Sequence, residues 1–196
     1  MSLQRPLTIV FAPLLLAACA KEQPPPNYSG AASQPAASQP AASQPAAASA
    51  EATIMATSGS KVTGKAVLKA LADGSGVSVH VMISGASPGD HGMHIHQKGD
   101  CSSPDGKSAG GHFNPANVAH ALPATAERHL GDLGNITVTA DGTGEASIER
   151  KGANLKEGDA MSFLGRAVII HAKPDTGAQP TGAAGARIGC GEIKKQ

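Results

Sequence analysis

Eight histidines in a chain of 196 residues are the feature of this sequence that could do chemistry. His94 and His96 stand two apart in a short alternating stretch, so on a strand both imidazoles leave the same side and can share one ion. The pair is weak by itself, because alternating histidines on a strand are often just polar surface. The chain then adds His112, His120 and His129, with Asp132 three residues on, and His171 closes the apolar run Val168-Ile169-Ile170. Six histidines and one carboxylate suffice for two four-coordinate sites if one imidazole serves both, seven side chains for eight positions. A mixed histidine and carboxylate set without thiolate suits tetrahedral zinc. An all-imidazole set suits copper, which accepts square-planar nitrogen ligation and changes valence. The arithmetic permits two such sites without choosing the shared histidine.

Such ligands need rigid elements under them. From about residue 54 onward apolar positions alternate, and segments 61–71, 76–84, 93–96, 136–140, 145–149 and 167–171 read as short strands. Asp73-Gly74, Pro88-Gly89 and Asp141-Gly142 supply turn chemistry between them, the last being the clearest hairpin. Loops rich in glycine and proline span 97–133 and 172–186, and loops of that length in a compact domain are usually functional. The 24 glycines and scarce aromatics suit an all-β, turn-rich domain better than a helical bundle. His80 reads as a strand-surface or barrel residue and His91 as structural, beside Gly92.

A net charge of +1 with histidine neutral gives no sign of nucleic acid as a partner. Arg5 precedes the apolar stretch 7–18, too short to span a bilayer as a mature helix, which reads as a signal peptide over residues 1–18. It ends in Leu16-Ala17-Ala18-Cys19, which resembles the lipobox of bacterial lipoproteins, where cleavage leaves the cysteine as the acylated first residue. Several acyl chains on Cys19 would anchor the protein to a membrane, and Ala20 after it favours the outer membrane. Residues 19–53, with AASQP three times in tandem over 31–45, lack large apolar residues to offset their ordering entropy and read as a disordered tether. The folded domain is expected over 54–196.

G-M-H-I-H at 92–96, G-G-H-F-N-P at 110–115, R-H-L-G-D-L-G-N at 128–135 and T-G-A-A-G-A-R-I-G-C-G at 181–191 resemble, in order and spacing, the copper-zinc superoxide dismutase family. The residues added between Cys101 and His112 resemble its bacterial branch, here in lipoprotein form. The resemblance implies a flattened eight-stranded Greek-key β-barrel. It implies copper on His94, His96, His112 and His171, zinc on His112, His120, His129 and Asp132, and His112 as both bridge and proton donor. It further implies a disulfide between Cys101 and Cys190, in keeping with an oxidising compartment, Arg187 as the guide for the superoxide anion, Thr181 and Gly185 along its channel, and Asp175 linking a copper ligand to a zinc ligand. Met93 stands where the family usually has an aromatic residue. Loop 172–186 lacks the charged residues that eukaryotic relatives use for steering, so steering comes from elsewhere, with Lys98 as one contributor. With neither Trp nor Tyr in the domain, monomer and homodimer are both reasonable. The rival reading is a periplasmic copper- and zinc-binding lipoprotein without turnover, located like the enzyme in the bacterial envelope. It would have no need of Arg187.

Overall fold

The structure, a computed structural model, describes residues 48–196. The signal peptide, Cys19 and the AASQP repeats lie outside them. Nine strands follow one another: β1 Ser49–Ala56, β2 Thr63–Ala70, β3 Gly76–Ser84, β4 Gly89–His96, β5 Asp132–Val138, β6 Thr143–Lys151, β7 Ala167–His171, β8 Arg187–Glu192 and the two-residue β9 Lys194–Lys195. A 3-10 turn at Lys107–Ala109 is the one helical element among the described residues.

The strands lie in the order β2-β3-β6-β5-β4-β7-β8-β1-β9, and β1 also pairs with β2, so eight of them close into an antiparallel barrel. The neighbours β3–β6 and β4–β7 are not consecutive in the chain, which makes the connections Greek-key. Closure leaves no free edge along the main strands. Alternation then fills the interior: Ile54, Leu68, Val79, Val81, Ile95, Ile136, Val168 and Ile170 are fully buried, with Phe163 packed edge-to-face on Phe113 at 6.1 Å. Met93 is buried in the same core, where its flexible side chain fills the volume.

β3 and β7 have the bounds that the alternation predicts, and Asp141-Gly142 is the hairpin turn between β5 and β6, with Gly142 at φ 83°. The domain begins earlier than expected. β1 starts at Ser49 and buries Ala50 and Ala52, so residues 49–53 belong to the barrel and not to the tether. The reason is size: the first two inward positions of β1 are the small Ala50 and Ala52, facing Leu68 and Ala66 of β2, and an alanine-rich strand passes for linker in the sequence. β8, too, starts at Arg187, inside a glycine-rich segment. A Cβ on Gly191 would lie 2.7 Å from the Thr53 carbonyl, so glycine lets β8 approach β1.

Candidate metal centre

Both faces of β4 are buried. Met93 and Ile95 point into the barrel, while His94 and His96 point outward beneath the long loop. β7 runs beside β4 and ends at His171, and the loop folds back so that His112 forms an isolated bridge with His96. His94, His96, His112 and His171 therefore converge, with candidate ligand atoms all within 4.8 Å of one another. His112, His120, His129 and Asp132 form a second group of the same kind, so His112 belongs to both.

Hydrogen bonding decides which ring nitrogen of each histidine is free. Asp175 accepts from His94 Nε2 at 2.8 Å and from His120 Nε2 at 2.9 Å, which leaves Nδ1 of both rings as the lone-pair atom. His96 Nδ1 donates to the Gly110 carbonyl and His171 Nδ1 to that of Gly185, which leaves Nε2 free in each. Among the described residues, the buried side-chain atoms without a hydrogen-bond partner are His94 Nδ1, His96 Nε2, His112 Nε2, His120 Nδ1 and His171 Nε2. Unpartnered buried nitrogens are costly, and five gathered in one place fit metal ligation.

The second group has ligand spacings close to those of a tetrahedral site. Asp132 Oδ1 lies 2.9 Å from His112 Nδ1 and 3.2 Å from His129 Nδ1, Asp132 Oδ2 lies 3.0 Å from His120 Nδ1, and His129 Nδ1 lies 3.4 Å from His112 Nδ1. Ligands at zinc distances of about 2.0–2.1 Å would be separated by roughly 3.3 Å along a tetrahedron's edge. Asp132 Oδ2 also accepts from the backbone N–H of Ala121 and His129. Burial pushes its carboxyl up, but the His112 and Ala121 contacts outweigh this and hold it below its usual value. Asp175 follows the same logic, its hydrogen bonds from His94, His120 and the Gly177 N–H outweighing burial.

Burial holds His94 and His171 neutral: His94 is lowered to about 4 and His171 to about 3, in each case chiefly by desolvation. In the unfolded chain these rings take up protons below about pH 6.5. Unfolding of the metal-free protein is then favoured as pH falls, each such ring costing about 1.4 kcal/mol per pH unit until its folded value is reached. Urea unfolding of the metal-free protein should show a midpoint well below its pH 7 value at pH 5; an unchanged midpoint would contradict the neutral assignment.

Beside these rings opens a cleft of about 390 Å³ lined by His96, His112, His171, Thr181, Gly185 and Arg187. Arg187 is held over it by two hydrogen bonds, Nη1 to the Gly106 carbonyl and Nη2 to that of Gly110, both 2.7 Å. Those carbonyls belong to a loop fixed by the Cys101–Cys190 disulfide, whose Cα atoms are 5.8 Å apart. Lys98 does not line the cleft; it lies beside Asp100. Lys107 and Asp105, which reading the sequence missed, take that position and pair with each other at 2.8 Å. They come from the residues added after Cys101, and the added length was their signal.

The remaining histidines fall outside both groups. His91 is buried, its Nδ1 2.7 Å from the His171 carbonyl and its Nε2 2.8 Å from that of Ser87, so it packs behind His171 as a structural residue. His80 lies on the barrel surface between Ser147 and Glu145.

Residues 62–193 match the family model described as copper/zinc superoxide dismutase. The chain is 46% identical over 121 residues to superoxide dismutase (Cu-Zn) 3 of Arabidopsis thaliana, covering 58% of this chain and 72% of that protein. It is 40% identical over 127 residues to the extracellular superoxide dismutase (Cu-Zn) of Caenorhabditis elegans, covering 61% and 56%. Among solved structures, a double mutant of a SOD-like protein from Bacillus subtilis superposes with a TM-score of 0.65 at 38% identity, over 72% of this chain and 94% of that one.

Proposed function

The chain belongs to the copper/zinc superoxide dismutase family, and from that premise we propose which residues carry its reaction and where in a cell it works. The reaction is the dismutation of superoxide, two anions and two protons giving dioxygen and hydrogen peroxide, with copper and zinc as cofactors. We assign copper to His94, His96, His112 and His171, and zinc to His112, His120, His129 and Asp132. The observation that carries the assignment is the set of five buried, unpartnered ring nitrogens. When bound, copper supplies the alternating valence and zinc supplies charge and geometry.

The protein's own groups do the rest. Arg187, permanently charged and planar, holds the anion at the mouth beside His96 and His171. His112 spans the two groups, so its Nε2 is the atom that can hold a proton and hand it to the forming peroxide while Nδ1 stays with the Asp132 side. Asp175 ties His94 to His120 and thereby keeps the two halves in one orientation. Thr181 and Gly185 shape the approach. The purified protein is expected to bind one copper and one zinc per chain and to speed superoxide decay in pulse radiolysis. Decay at the buffer rate with both metals bound would overturn the assignment.

Lys107 and Asp105 act on the approaching anion with opposite sign. A unit charge about 10 Å from the anion's path in water is worth about 0.4 kcal/mol, close to a factor of two in rate. Asp105→Asn should therefore raise kcat/KM about twofold at low salt and Lys107→Ala should lower it about as much, both effects fading above roughly 0.2 M salt as screening sets in. Salt-independent changes would point to a structural cause.

The location we propose is the bacterial cell envelope, the protein exported, acylated at Cys19 and held by the low-complexity segment, with the outer membrane favoured by Ala20. Support comes from the Arg5 to Cys19 motif, from the disulfide, which suits an oxidising compartment, and from the relative named as extracellular. In a bacterial host, Cys19→Ser should move the protein from the membrane fraction to the soluble periplasm; retention in the membrane by that variant would count against the anchor.

A further inference from the structure

Arg150 is a buried guanidinium in a place where the strand pattern calls for an apolar side chain. Along β6 the barrel-facing positions are Gly144, Ala146 and Ile148, and the next is Arg150, 8% exposed. Burial first, and Arg128 second, lower its pKa to about 10, so it stays charged at neutral pH. Among the described residues it forms no ion pair with any carboxylate. Its Nε donates to the Leu130 carbonyl at 2.9 Å, and its Nη2 to those of His129 at 2.9 Å and Arg128 at 3.3 Å. Taking a cation out of water costs several kcal/mol; the Asp132 carboxylate offsets part of this without direct contact, and these three consecutive carbonyls are its hydrogen-bond partners.

They belong to a tight turn in which the Asp132 N–H donates to the His129 carbonyl at 3.1 Å. That turn fixes the spacing of His129 and Asp132, two of the four residues in the tetrahedral group. We propose that Arg150 is a positioning residue for the zinc site, clamping the 128–130 backbone from the barrel side so that His129 and Asp132 are aimed before the metal arrives. The inference rests on the zinc assignment above. Two effects compete: the positive charge should repel a divalent cation, while the clamp pre-organises two of its ligands. The planar fork decides for the clamp, because it engages three acceptors at once, which a lysine ammonium on a flexible stem cannot do with the same geometry.

The test uses Arg150→Met, close in volume and neutral, and Arg150→Lys, which keeps the charge and gives up the fork. Zinc affinity is read by chelator competition, and cobalt(II) in place of zinc reports the tetrahedral geometry through its visible absorption. Loss of a group that orients a ligand costs about 10- to 100-fold in metal affinity. The expected result is such a loss in Arg150→Met, a smaller loss in Arg150→Lys, and altered cobalt bands in both. Wild-type affinity and wild-type cobalt bands in the variants would overturn the proposal, as would tighter zinc in Arg150→Met, which would make the charge the dominant effect. If Arg150→Met does not fold, Arg150→Lys decides by the same readouts. Failure of the wild-type protein itself to bind zinc or cobalt would instead sink the zinc assignment.

Discussion

His171→Ala is expected to reduce superoxide decay to the uncatalysed rate while leaving zinc bound. Of the four rings assigned to copper, His171 stands at the end of β7, and its Nε2 is buried without a hydrogen-bond partner. It takes no part in the His112, His120, His129 and Asp132 group. Removing it should cost copper one ligand and, with it, one wall of the cleft beside Arg187. A dismutase that loses its redox ion loses the whole reaction, because neither zinc nor any side chain here can change valence. The check is paired: pulse radiolysis for turnover and elemental analysis for each metal. His129→Ala should show the converse loss, zinc gone and copper retained. Full turnover in His171→Ala with wild-type copper content would remove this residue from the copper set.

The second large effect concerns the disulfide. The Cys101–Cys190 bond links residues 89 apart in sequence. Closing so long a loop restricts the unfolded chain, and the chain-entropy model gives about 4 to 5 kcal/mol, with measured losses for native disulfides of about 2 to 5 kcal/mol. For a domain of this size each kcal/mol corresponds to roughly 2–4 °C, so a Cys101→Ser, Cys190→Ser double variant should melt roughly 10 °C lower. The same bond fixes the loop whose Gly106 and Gly110 carbonyls hold the Arg187 guanidinium. Activity of the folded variant should therefore fall as well, with the defect in KM larger than in kcat. An unchanged melting temperature, read by calorimetry under oxidising conditions, would show that packing of Cys190 with Ala167 and Ile169 holds the region without the bond.

Residue type and spacing carried most of the candidate site. The seven ligand candidates, the likeness that assigned them, Arg187, Asp175 and the cysteine pair are all legible, because each is a chemically unusual residue inside a recognisable motif. Strands with large β-branched residues were legible for a similar reason, since Val77, Val79, Val81 and Ile83 print their burial as a period of two. β1 and β8 left no such print. Alanine at 50 and 52 and glycine at 189 and 191 fill inward or close-packed positions with almost no hydrophobic signal, although the barrel cannot close without those strands.

What the sequence determined by itself was the chemistry on offer: nitrogen and carboxylate ligands enough for two ions and a cysteine pair. The tertiary structure decided which atom of each ligand is free, because a ring nitrogen's role is set by the acceptor that its other nitrogen meets, and those acceptors, Asp175, Gly110 and Gly185, come from distant loops. It also placed Lys107 and Asp105, and not Lys98, along the cleft, and brought Arg150 on β6 against the 128–130 turn that leads into the neighbouring β5. Charge and hydrogen bonding act over a few ångströms of space, and separation along the chain does not report that distance.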